Sequence, residues 1–368
     1  MMNIIFHLPN KIYKERTSGS KLRPVEMLKA FKELGYNVFE VIGTGKERAE
    51  AIKKIKNEIK AGLKVEFMYA ESATYPTLLA TGINDFVKYF NQDFSFFKYL
   101  KKNNIPIGLY YRDIHWLFPH GKGKHGFFKE KVFNFFYKFD LTIYEKYVDV
   151  LFLPSTRMYN HLPLKKSIPN YSLPPGTKIK NIGKRENDTL NLVYIGGVSN
   201  LYKMDKLFPV LNNCDFVRCN ISTRQKEWEE VKKNFIDYKN YNIFHFSGNE
   251  LEKLFVVADI GLIFTEPHKY WDFAMPVKLF EYLSFGLPII AIKNTAAGEF
   301  VEKNNVGWTV DYDEFRLSQL LQMINGNRKQ LLEKKKFVYR VAEENSWNSR
   351  VEKVNSILLK DNNYGNGG

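Results

Sequence analysis

Short apolar runs alternate with amphipathic segments along almost the whole chain. Asn3–Leu8 is an apolar run of strand length, whereas residues 21–34 place apolar side chains every three or four positions, as a helix does. Gly35 is expected to end that helix, and Asn37–Ile42 is again typical of a strand. Further apolar runs of strand length lie at residues 65–70, 107–111, 148–153, 192–195, 216–219, 260–264 and 288–292. Continuous apolar strands separated by helices predict parallel sheets that are buried on both faces.

The strands fall into two series, separated by a polar, proline-containing stretch at residues 173–191. We therefore predict an α/β fold with two facing, doubly wound domains and a ligand cleft at the carboxyl ends of their strands. The first domain is placed at residues 1–175 and the second at residues 189–345. Residues 346–360 are expected to form a terminal helix that crosses back to the first domain, and residues 361–368 to be disordered.

Targeting and membrane-spanning features are not expected. The first ten residues lack the positive start and long apolar core of a signal peptide, and no apolar run approaches the roughly 20 residues of a spanning helix. Without an export signal, Cys214 and Cys219 are expected to be reduced and partly buried, and one pair at this spacing is a weak metal signal. These features favour a cytoplasmic protein.

Positive charge is concentrated in the first half of the chain. The net charge is +15, and residues 1–180 hold 30 of the 55 basic and 16 of the 40 acidic residues, which leaves 25 and 24 for the remainder. A basic domain suits anionic lipid, a diphosphate-linked substrate or nucleic acid, although a lysine-rich surface also arises from coding bias alone. Nucleic acid is disfavoured, because the basic residues form no dense stripe and no recognised motif frames them.

Residues 275–291 combine a helix start, a cation and a carboxylate at close spacing. Pro276 suits the start of a helix, and the free amides around Val277 and Lys278 then point out of the helix N-terminus. Together with the helix dipole and the Lys278 ammonium, these amides favour a phosphate group. Glu281 lies one turn further on the same side, where its carboxylate can accept hydrogen bonds from two ribose hydroxyls. The structural alternative is an ordinary helix with a Glu–Lys pair.

This segment, PVKLFEYLSFGLPIIA, resembles the P-x-K-x-x-E-Y-x-x-x-G-x-P segment of the family 4 glycosyltransferases. These are retaining enzymes with the GT-B fold, which act in bacterial surface-polysaccharide pathways. The similarity covers nearly the whole chain, through the glycine turn at Gly196 and Gly197, the segment at 246–251, and residues 258–262 and 304–308.

The resemblance implies two facing Rossmann-like domains that bind a nucleotide-diphosphate sugar of the UDP or GDP type in their cleft, without a metal or another cofactor. It assigns the donor ribose to Glu281, the diphosphate to the turn formed by Pro276, Val277 and Lys278, and the nucleobase to the backbone from Phe246 to Gly248. The diphosphate leaving group would be stabilised by the helix amides and Lys278.

Two departures from the family pattern concern the donor sugar. The family has a first Glu eight residues before the ribose Glu, and this chain has Phe273 there. Asp272 or Glu266 could substitute for it, or backbone amides could take the role. The usual Arg/Lys pair after the glycine turn is also missing, and Lys203 and Lys206 are only candidates for it.

The segment from Tyr110 to Trp116 follows a predicted strand and carries Arg112, Asp113 and His115 at its carboxyl end. The family has an acidic residue or a histidine next to the donor sugar in the matching segment. We therefore expect Asp113 or His115 to contact sugar hydroxyls and Arg112 to steady a carboxylate or phosphate. The structural alternative is a salt bridge or a satisfied helix cap.

The loop from Pro9 to Pro24 joins the first strand to the first helix, with a small turn around Gly19 ahead of that helix. In family 4 enzymes the equivalent loop approaches the transferring group, and Gly19 would permit a close backbone approach. An ordinary surface loop is the alternative.

Residues 127–139 interleave aromatic side chains with Lys129, Lys131 and Lys138. Such a stretch suits an anionic membrane surface with a lipid-diphosphate acceptor. It also suits an amphipathic helix that packs within the first domain.

Two groups of potential metal ligands do not predict a metal site. His115, His120 and His125 are five residues apart, so they do not converge on one helix face. Asp311 and Asp313 formally make a D-x-D motif, but they follow a predicted strand and precede a helix, so they are interpreted as an N-cap pair.

The sequence thus predicts a glycosyltransferase, with Asp113, His115 and Glu281 as catalytic candidates, that moves a sugar from a nucleotide donor to a carbohydrate acceptor, often lipid-linked. Retention of configuration follows from the resemblance, and the expected location is the cytoplasm or the inner face of the plasma membrane. The alternatives are a GT-B-fold sugar-nucleotide epimerase, an inverting transferase, and a basic membrane or nucleic-acid binding module without catalysis.

Overall fold

A computed structural model describes residues 1–12, 19–81, 86–118, 127–180, 188–235 and 237–360. The chain divides into two compact units. The first unit contains Met1–Pro174 and Trp347–Gly368, and the second contains Pro175–Ser346.

The first unit is built on a parallel sheet of six strands in the order β2-β1-β3-β4-β5-β6. Its central strands are buried on both faces, which explains their continuous apolar sequences. The strands are β1 (Asn3–Leu8), β2 (Asn37–Ile42), β3 (Phe67–Glu71), β4 (Ile107–Tyr110), β5 (Val150–Leu153) and β6 (Asn170–Ser172). The helices that precede the second unit are α1 (Gly19–Glu33), α2 (Gly45–Lys60), α3 (Phe86–Tyr89), α4 (Gln92–Lys102) and α5 (Phe127–Tyr147).

The second unit repeats this plan with the strand order β12-β11-β10-β7-β8-β9, again all parallel. Its strands are β7 (Leu190–Ile195), β8 (Val217–Ser222), β9 (Tyr241–Phe244), β10 (Ile260–Ile263), β11 (Ile289–Ile292) and β12 (Gly307–Val310). Its helices are α6 (Leu207–Asn212), α7 (Gln225–Val231), α8 (Glu252–Val257), α9 (Val277–Ser284), α10 (Ala296–Asn304), α11 (Glu314–Gly326) and α12 (Arg328–Glu344). Apolar clusters cover both faces of the sheet.

The last helix, α13 (Trp347–Lys360), belongs to the first unit. Its buried residues Val351, Val354 and Leu358 join the apolar core formed by α1 and the first sheet. Gly108 on β4 has no side chain, and a Cβ there would lie 2.9 Å from Leu358. The absence of that side chain therefore lets α13 pack closely on the sheet.

The predicted α/β fold with two doubly wound units is confirmed, but two edge strands and one helix start were not predicted. β6 and β9 lie at sheet edges and are only partly buried, so their sequences lack the continuous apolar run of a central strand. The prediction that Gly19 lies in a turn ahead of the first helix is wrong, because α1 begins at Gly19. Amides in the first turn need no partner within the helix, so glycine costs little at its first position.

In the second sheet, strand order reverses direction between β7 and β10, which are adjacent but separated along the chain by β8 and β9. In doubly wound sheets, ligands bind outside the carboxyl ends of the strands at such a reversal. The two loops at that point are the turn after β7 and the loop from β10 to α9.

A buried carboxyl group in the first unit makes the stability of the fold depend on pH. Asp140 on α5 is 3% exposed, and its Oδ2 accepts a hydrogen bond of 2.6 Å from the amide of Thr77. Burial raises the pKa of Asp140 from an ordinary 3.8 to about 7, although the Thr77 hydrogen bond opposes this shift. The fold therefore favours the protonated form, and this stabilising contribution is complete below about pH 4 and lost as pH rises through 7.

We expect the free energy of unfolding of the wild type to fall by about 4 kcal/mol between pH 4 and pH 8 relative to that of Asp140→Asn. The asparagine still accepts the Thr77 hydrogen bond but does not titrate. Urea unfolding of both proteins across this pH range measures the difference, in which the other titrating groups cancel. A constant difference at every pH would contradict the assignment.

Candidate functional site

The turn after β7 brings backbone close to a lysine. Gly196 has a φ of +132°, a conformation that L side chains rarely adopt, and a Cβ there would lie 3.0 Å from Nζ of Lys278. A Cβ on Gly197 would lie 2.9 Å from both the Glu227 carboxylate and the Tyr202 ring. The two glycines therefore leave room for the lysine, the tyrosine and the carboxylate around one turn.

Helix α9 begins where the family resemblance placed the diphosphate site. Pro276 is the N-cap and makes no side-chain cap hydrogen bond, so the amides of Val277 and Lys278 point out of the helix N-terminus. The buried Tyr282 fixes this helix to the sheet, because its hydroxyl donates to the Leu262 carbonyl at 3.2 Å and accepts from the Ile195 amide at 3.1 Å. Helix α9 is thus tied directly to β7 and β10.

Lys278 carries a partly buried ammonium between two aromatic rings. Nζ lies 3.9 Å from the centroid of the Tyr194 ring and 5.3 Å from that of Tyr202. In the described part of the chain, no carboxylate lies within 4 Å of this ammonium. Burial lowers the pKa of Lys278 to about 7, while the charge of Glu281 opposes the shift. The position suits an anion that would supply the missing counter-charge.

Glu281 follows one turn after Lys278 and is also partly buried. Burial raises the pKa of its carboxyl group, and the charges of Lys278 and Lys180 act in the opposite direction. Lys180 itself is paired with Glu252. The Glu281 carboxylate and the Lys278 ammonium therefore lie one turn apart on α9 without forming a close ion pair.

The segment predicted to meet the nucleobase lies at the carboxyl end of β9. The Phe246 carbonyl accepts a hydrogen bond of 3.1 Å from Ser222 at the end of β8, and its ring lies 5.0 Å from that of Phe244. Gly248 has a φ of +56° and opens the 3-10 turn Gly248–Leu251. This backbone shares the carboxyl edge of the second sheet with Gly196 and Lys278.

The structure distinguishes among the candidates for the missing family residues. Phe273 is 1% exposed and packs against Tyr270, so it belongs to the core. Glu266 lies 3.8 Å from Lys203, and Nζ of Lys206 donates to the Tyr312 carbonyl at 3.0 Å. Asp272 lies among the residues that line a cavity at the carboxyl edge of the sheet.

Arg112, in the first unit, forms a salt bridge within the chain, which was the structural alternative to a ligand contact. Its guanidinium donates to the fully buried Glu71 carboxylate at 3.0 Å, and its amide donates to Ser72 Oγ. Glu71 is also 3.3 Å from Arg23 and accepts a hydrogen bond from Tyr69. Arg112 therefore steadies a carboxylate of the chain itself.

Asp113 and His115 are brought together at the end of β4. Oδ1 of Asp113 accepts the His115 amide at 2.9 Å, and its other oxygen is 3.7 Å from Nδ1 of the imidazole. Tyr137 from α5 lies 3.4 Å from Nε2 of His115, and its ring stacks on Trp116. Tyr137 was not singled out from the sequence, because its partner is 22 residues away. Contact of Asp113 or His115 with a sugar stays a prediction.

The remaining sequence predictions have simple outcomes. Asp313 is the N-cap of α11 and accepts the Arg316 amide, so its interpretation as a cap is confirmed. Cys214 and Cys219 are buried and free, as expected. His120 and His125 lie outside the described residues. In the part of the chain that the structure describes, no helix has both the length and the apolar character needed to span a bilayer.

Comparison with known proteins relates both units to sugar transferases. Residues 226–343 match the family model of the glucosyltransferase 3-like C-terminal domain. No curated protein matches the chain in sequence.

Three solved structures align along almost the entire chain. HepE from Anabaena, in complex with UDP and glucose, has 13% identity and a TM-score of 0.61, over 98% of this chain and 100% of that one. Sucrose-phosphate synthase from Thermosynechococcus elongatus has 11% identity and a TM-score of 0.67, over 98% and 99%. WaaG, a glycosyltransferase involved in lipopolysaccharide biosynthesis, has 14% identity and a TM-score of 0.59, over 99% and 100%.

These similarities confirm the predicted fold and enzyme class. At such low identities the solved structures establish the GT-B fold. The family model over residues 226–343 relates the second unit to the C-terminal domain of glucosyltransferase 3-like proteins, which agrees with the predicted glycosyltransferase.

Proposed function

We propose that this GT-B protein transfers a hexosyl group from a UDP-type sugar donor to a carbohydrate acceptor. The second unit binds the donor at the carboxyl ends of β7, β9 and β10. The helix amides of Val277 and Lys278, with the Lys278 ammonium, hold the diphosphate, Glu281 holds the ribose, and the backbone from Phe246 to Gly248 meets the base.

The observation that carries this proposal is the environment of Lys278. Its ammonium lies between two tyrosine rings, against a glycine turn, and beside two helix amides that point outward. Burying a cation in this position costs solvation energy, which an ordinary surface lysine keeps. A bound diphosphate would compensate for this cost. As the phosphate departs from the sugar, the same groups stabilise its growing charge.

Uridine is the base we propose because HepE, which shares the fold, is described in complexes with UDP and with UDP-glucose. No metal is required in this proposal, since the helix amides and Lys278 neutralise the diphosphate where another class of enzyme would use a divalent cation.

We assign the acceptor to the first unit, which carries the excess positive charge. Asp113 or His115 contacts sugar hydroxyls in this unit, and the start of α1 at Gly19 lies at the carboxyl edge of the same sheet. The acceptor class is a carbohydrate, often lipid-linked, and the product is part of a cell-surface polysaccharide. Transfer proceeds with retention, which the anomeric proton coupling of the product would report in an NMR spectrum.

The proposal is tested by titrating the protein with UDP, GDP and dTDP and with their glucose conjugates. We expect saturable binding of UDP-glucose, and binding that is unchanged by EDTA. Hydrolysis or transfer of the sugar would be followed in the same samples. Absence of affinity for every nucleotide sugar would refute the enzyme assignment, and strict dependence on a divalent cation would refute metal-independent binding.

We further propose that the first unit associates peripherally with the inner face of the plasma membrane through α5. The outer side of this helix exposes Val132, Phe133, Phe135 and Phe139, and Phe135 is 64% exposed. Lys131 and Lys138 are exposed on the same helix. Exposed aromatic side chains among lysines are typical of a helix that lies in an anionic interface.

Changing Lys131 and Lys138 to serine should weaken partitioning onto vesicles that contain phosphatidylglycerol by about thirtyfold, since each lysine contributes about 1 kcal/mol near such a surface. Changing the exposed Lys53 and Lys54 on α2 to serine removes the same charge elsewhere in this unit and serves as the control. An equal loss in both double variants would show that total charge, and not α5, determines binding.

A further inference from the structure

The second unit begins with a segment that runs along helix α9. Carbonyl groups in the last turn of a helix have no partner within it. Here the carbonyl of Ser284, the last residue of α9, accepts the Lys180 amide at 2.8 Å, and Ser284 Oγ accepts the Lys178 amide at 3.1 Å. These two hydrogen bonds fix Lys180 next to the helix that carries Lys278 and Glu281.

The side chain of Lys180 connects two helices of the proposed donor site. Its ammonium forms an ion pair with Glu252, the first residue of α8, and lies 5.1 Å from the centroid of the Phe285 ring just after α9. The rings of Phe285 and Phe255 pack at 4.3 Å, so α8 and α9 also meet through an apolar contact. Helix α8 directly follows the turn Gly248–Leu251. Lys180 therefore connects the segment proposed to meet the base with the helix proposed to hold the ribose.

Glu281 is influenced by two cations with different roles. Burial raises the pKa of its carboxyl group, and the charges of Lys278 and Lys180 oppose this shift. In the proposed complex, the diphosphate neutralises the Lys278 ammonium. Lys180 contacts Glu252 instead, so its charge continues to favour the ionised carboxylate that accepts the ribose hydroxyls.

We propose that Lys180 is a positioning residue of the donor site, which holds residues 246–251 and the Glu281 carboxylate in the arrangement that binds the nucleoside. The inference rests on the proposed function, because it concerns the same nucleotide site. Both side chains of the pair with Glu252 are more than one-third exposed, and such pairs contribute little to stability. Loss of the ammonium should therefore leave the fold intact and change binding.

The test compares Lys180→Met, Lys180→Arg and Glu252→Gln with the wild type. Lys178→Met is the matched control, because it removes a charge from an exposed side chain in the same segment. Each protein is titrated with UDP and with inorganic diphosphate, which has neither base nor ribose. We expect Lys180→Met and Glu252→Gln to weaken UDP binding about fivefold and to leave diphosphate binding unchanged. Lys180→Arg should bind UDP as the wild type does.

The double variant of Lys180→Met and Glu252→Gln should lose no more affinity than either single variant, because both changes remove the same contact. An equal loss in Lys178→Met, or a parallel loss for diphosphate, would show that Lys180 acts only through total charge and would overturn the proposal. Unchanged UDP affinity in Lys180→Met would overturn it as well.

Titration of the Glu281 carboxyl group judges Lys180 without a nucleotide. It is followed by NMR of isotope-labelled glutamate carboxyl groups, with Glu281→Gln to assign the signal. The pKa of Glu281 should rise in Lys180→Met and fall in Glu252→Gln, since these changes remove charges of opposite sign, and Lys178→Met should leave it unchanged. Equal pKa values in all four proteins would overturn the proposal. If the wild type binds no UDP, the proposed function fails, and this titration still decides whether Lys180 acts on Glu281.

Discussion

Replacing Glu281 with alanine should weaken binding of UDP-glucose about a hundredfold while the fold is retained. In the proposed complex the carboxylate accepts hydrogen bonds from two ribose hydroxyls, and a hydrogen bond to a charged group contributes about 1.5–3 kcal/mol. The side chain is only partly buried and lies 3 residues from Lys278, so its removal leaves no large apolar cavity.

Binding of 2′-deoxy-UDP separates a ribose contact from an indirect effect. The wild type should bind this analogue more weakly than UDP, whereas Glu281→Ala should bind the two equally, because the partner of the 2′-hydroxyl is gone. Glu333→Ala on the exposed side of α12 is the matched control and should behave as the wild type does. A 2′-hydroxyl preference that persists in Glu281→Ala would remove this residue from the ribose site.

The central strands of both sheets were predictable because each is buried on two faces and therefore apolar throughout. The central strand β1 begins and ends where the sequence places it, at Asn3–Leu8. The edge strand β2 was also placed correctly, at Asn37–Ile42, because its sequence is largely apolar although it is only partly buried. The partly exposed edge strands β6 and β9 have mixed sequences, so no periodic pattern marks them. Local hydrophobic pattern thus predicts the layers of this fold better than its edges.

The helix start at Pro276 was also predictable, because capping, dipole and charge are local properties of neighbouring residues. The rings around Lys278 were not, since Tyr194 and Tyr202 are brought to it by strand pairing and turn geometry from more than 70 positions away. Tyr282 lies within the segment that resembles family 4, but its role depends on backbone groups of β7 and β10.

Arg112 shows the opposite case. Its position at the end of a strand suggested a ligand contact, yet the partner that the structure gives it is Glu71, at the end of the neighbouring strand β3. Sequence order does not reveal which strands are neighbours in the sheet. A charged residue at a strand end can therefore be assigned to a ligand although an adjacent strand supplies its counter-charge.

Affinity for UDP-glucose should fall about a hundredfold between pH 6 and pH 9 because Lys278 loses its proton in the unliganded protein. Burial holds the pKa of this lysine at about 7, and a bound diphosphate would raise it. Below pH 7 the ammonium is already formed and affinity is constant. Above pH 7 the ligand must bind together with a proton, which lowers affinity by up to tenfold for each pH unit. UDP-glucose is the right probe, because its diphosphate diester does not titrate in this range.

Calorimetry at pH 8 in buffers of different ionisation enthalpy should therefore report uptake of about one proton per UDP-glucose bound. Lys278→Arg keeps its charge at every pH, so its affinity should lose the pH dependence, and Lys278→Met should bind weakly and equally throughout. Lys303→Met, an exposed change on α10, should leave the wild-type profile intact. If the pH dependence survived in the arginine variant, its source would be another group, and the ammonium over the Gly196 turn would not be the diphosphate ligand.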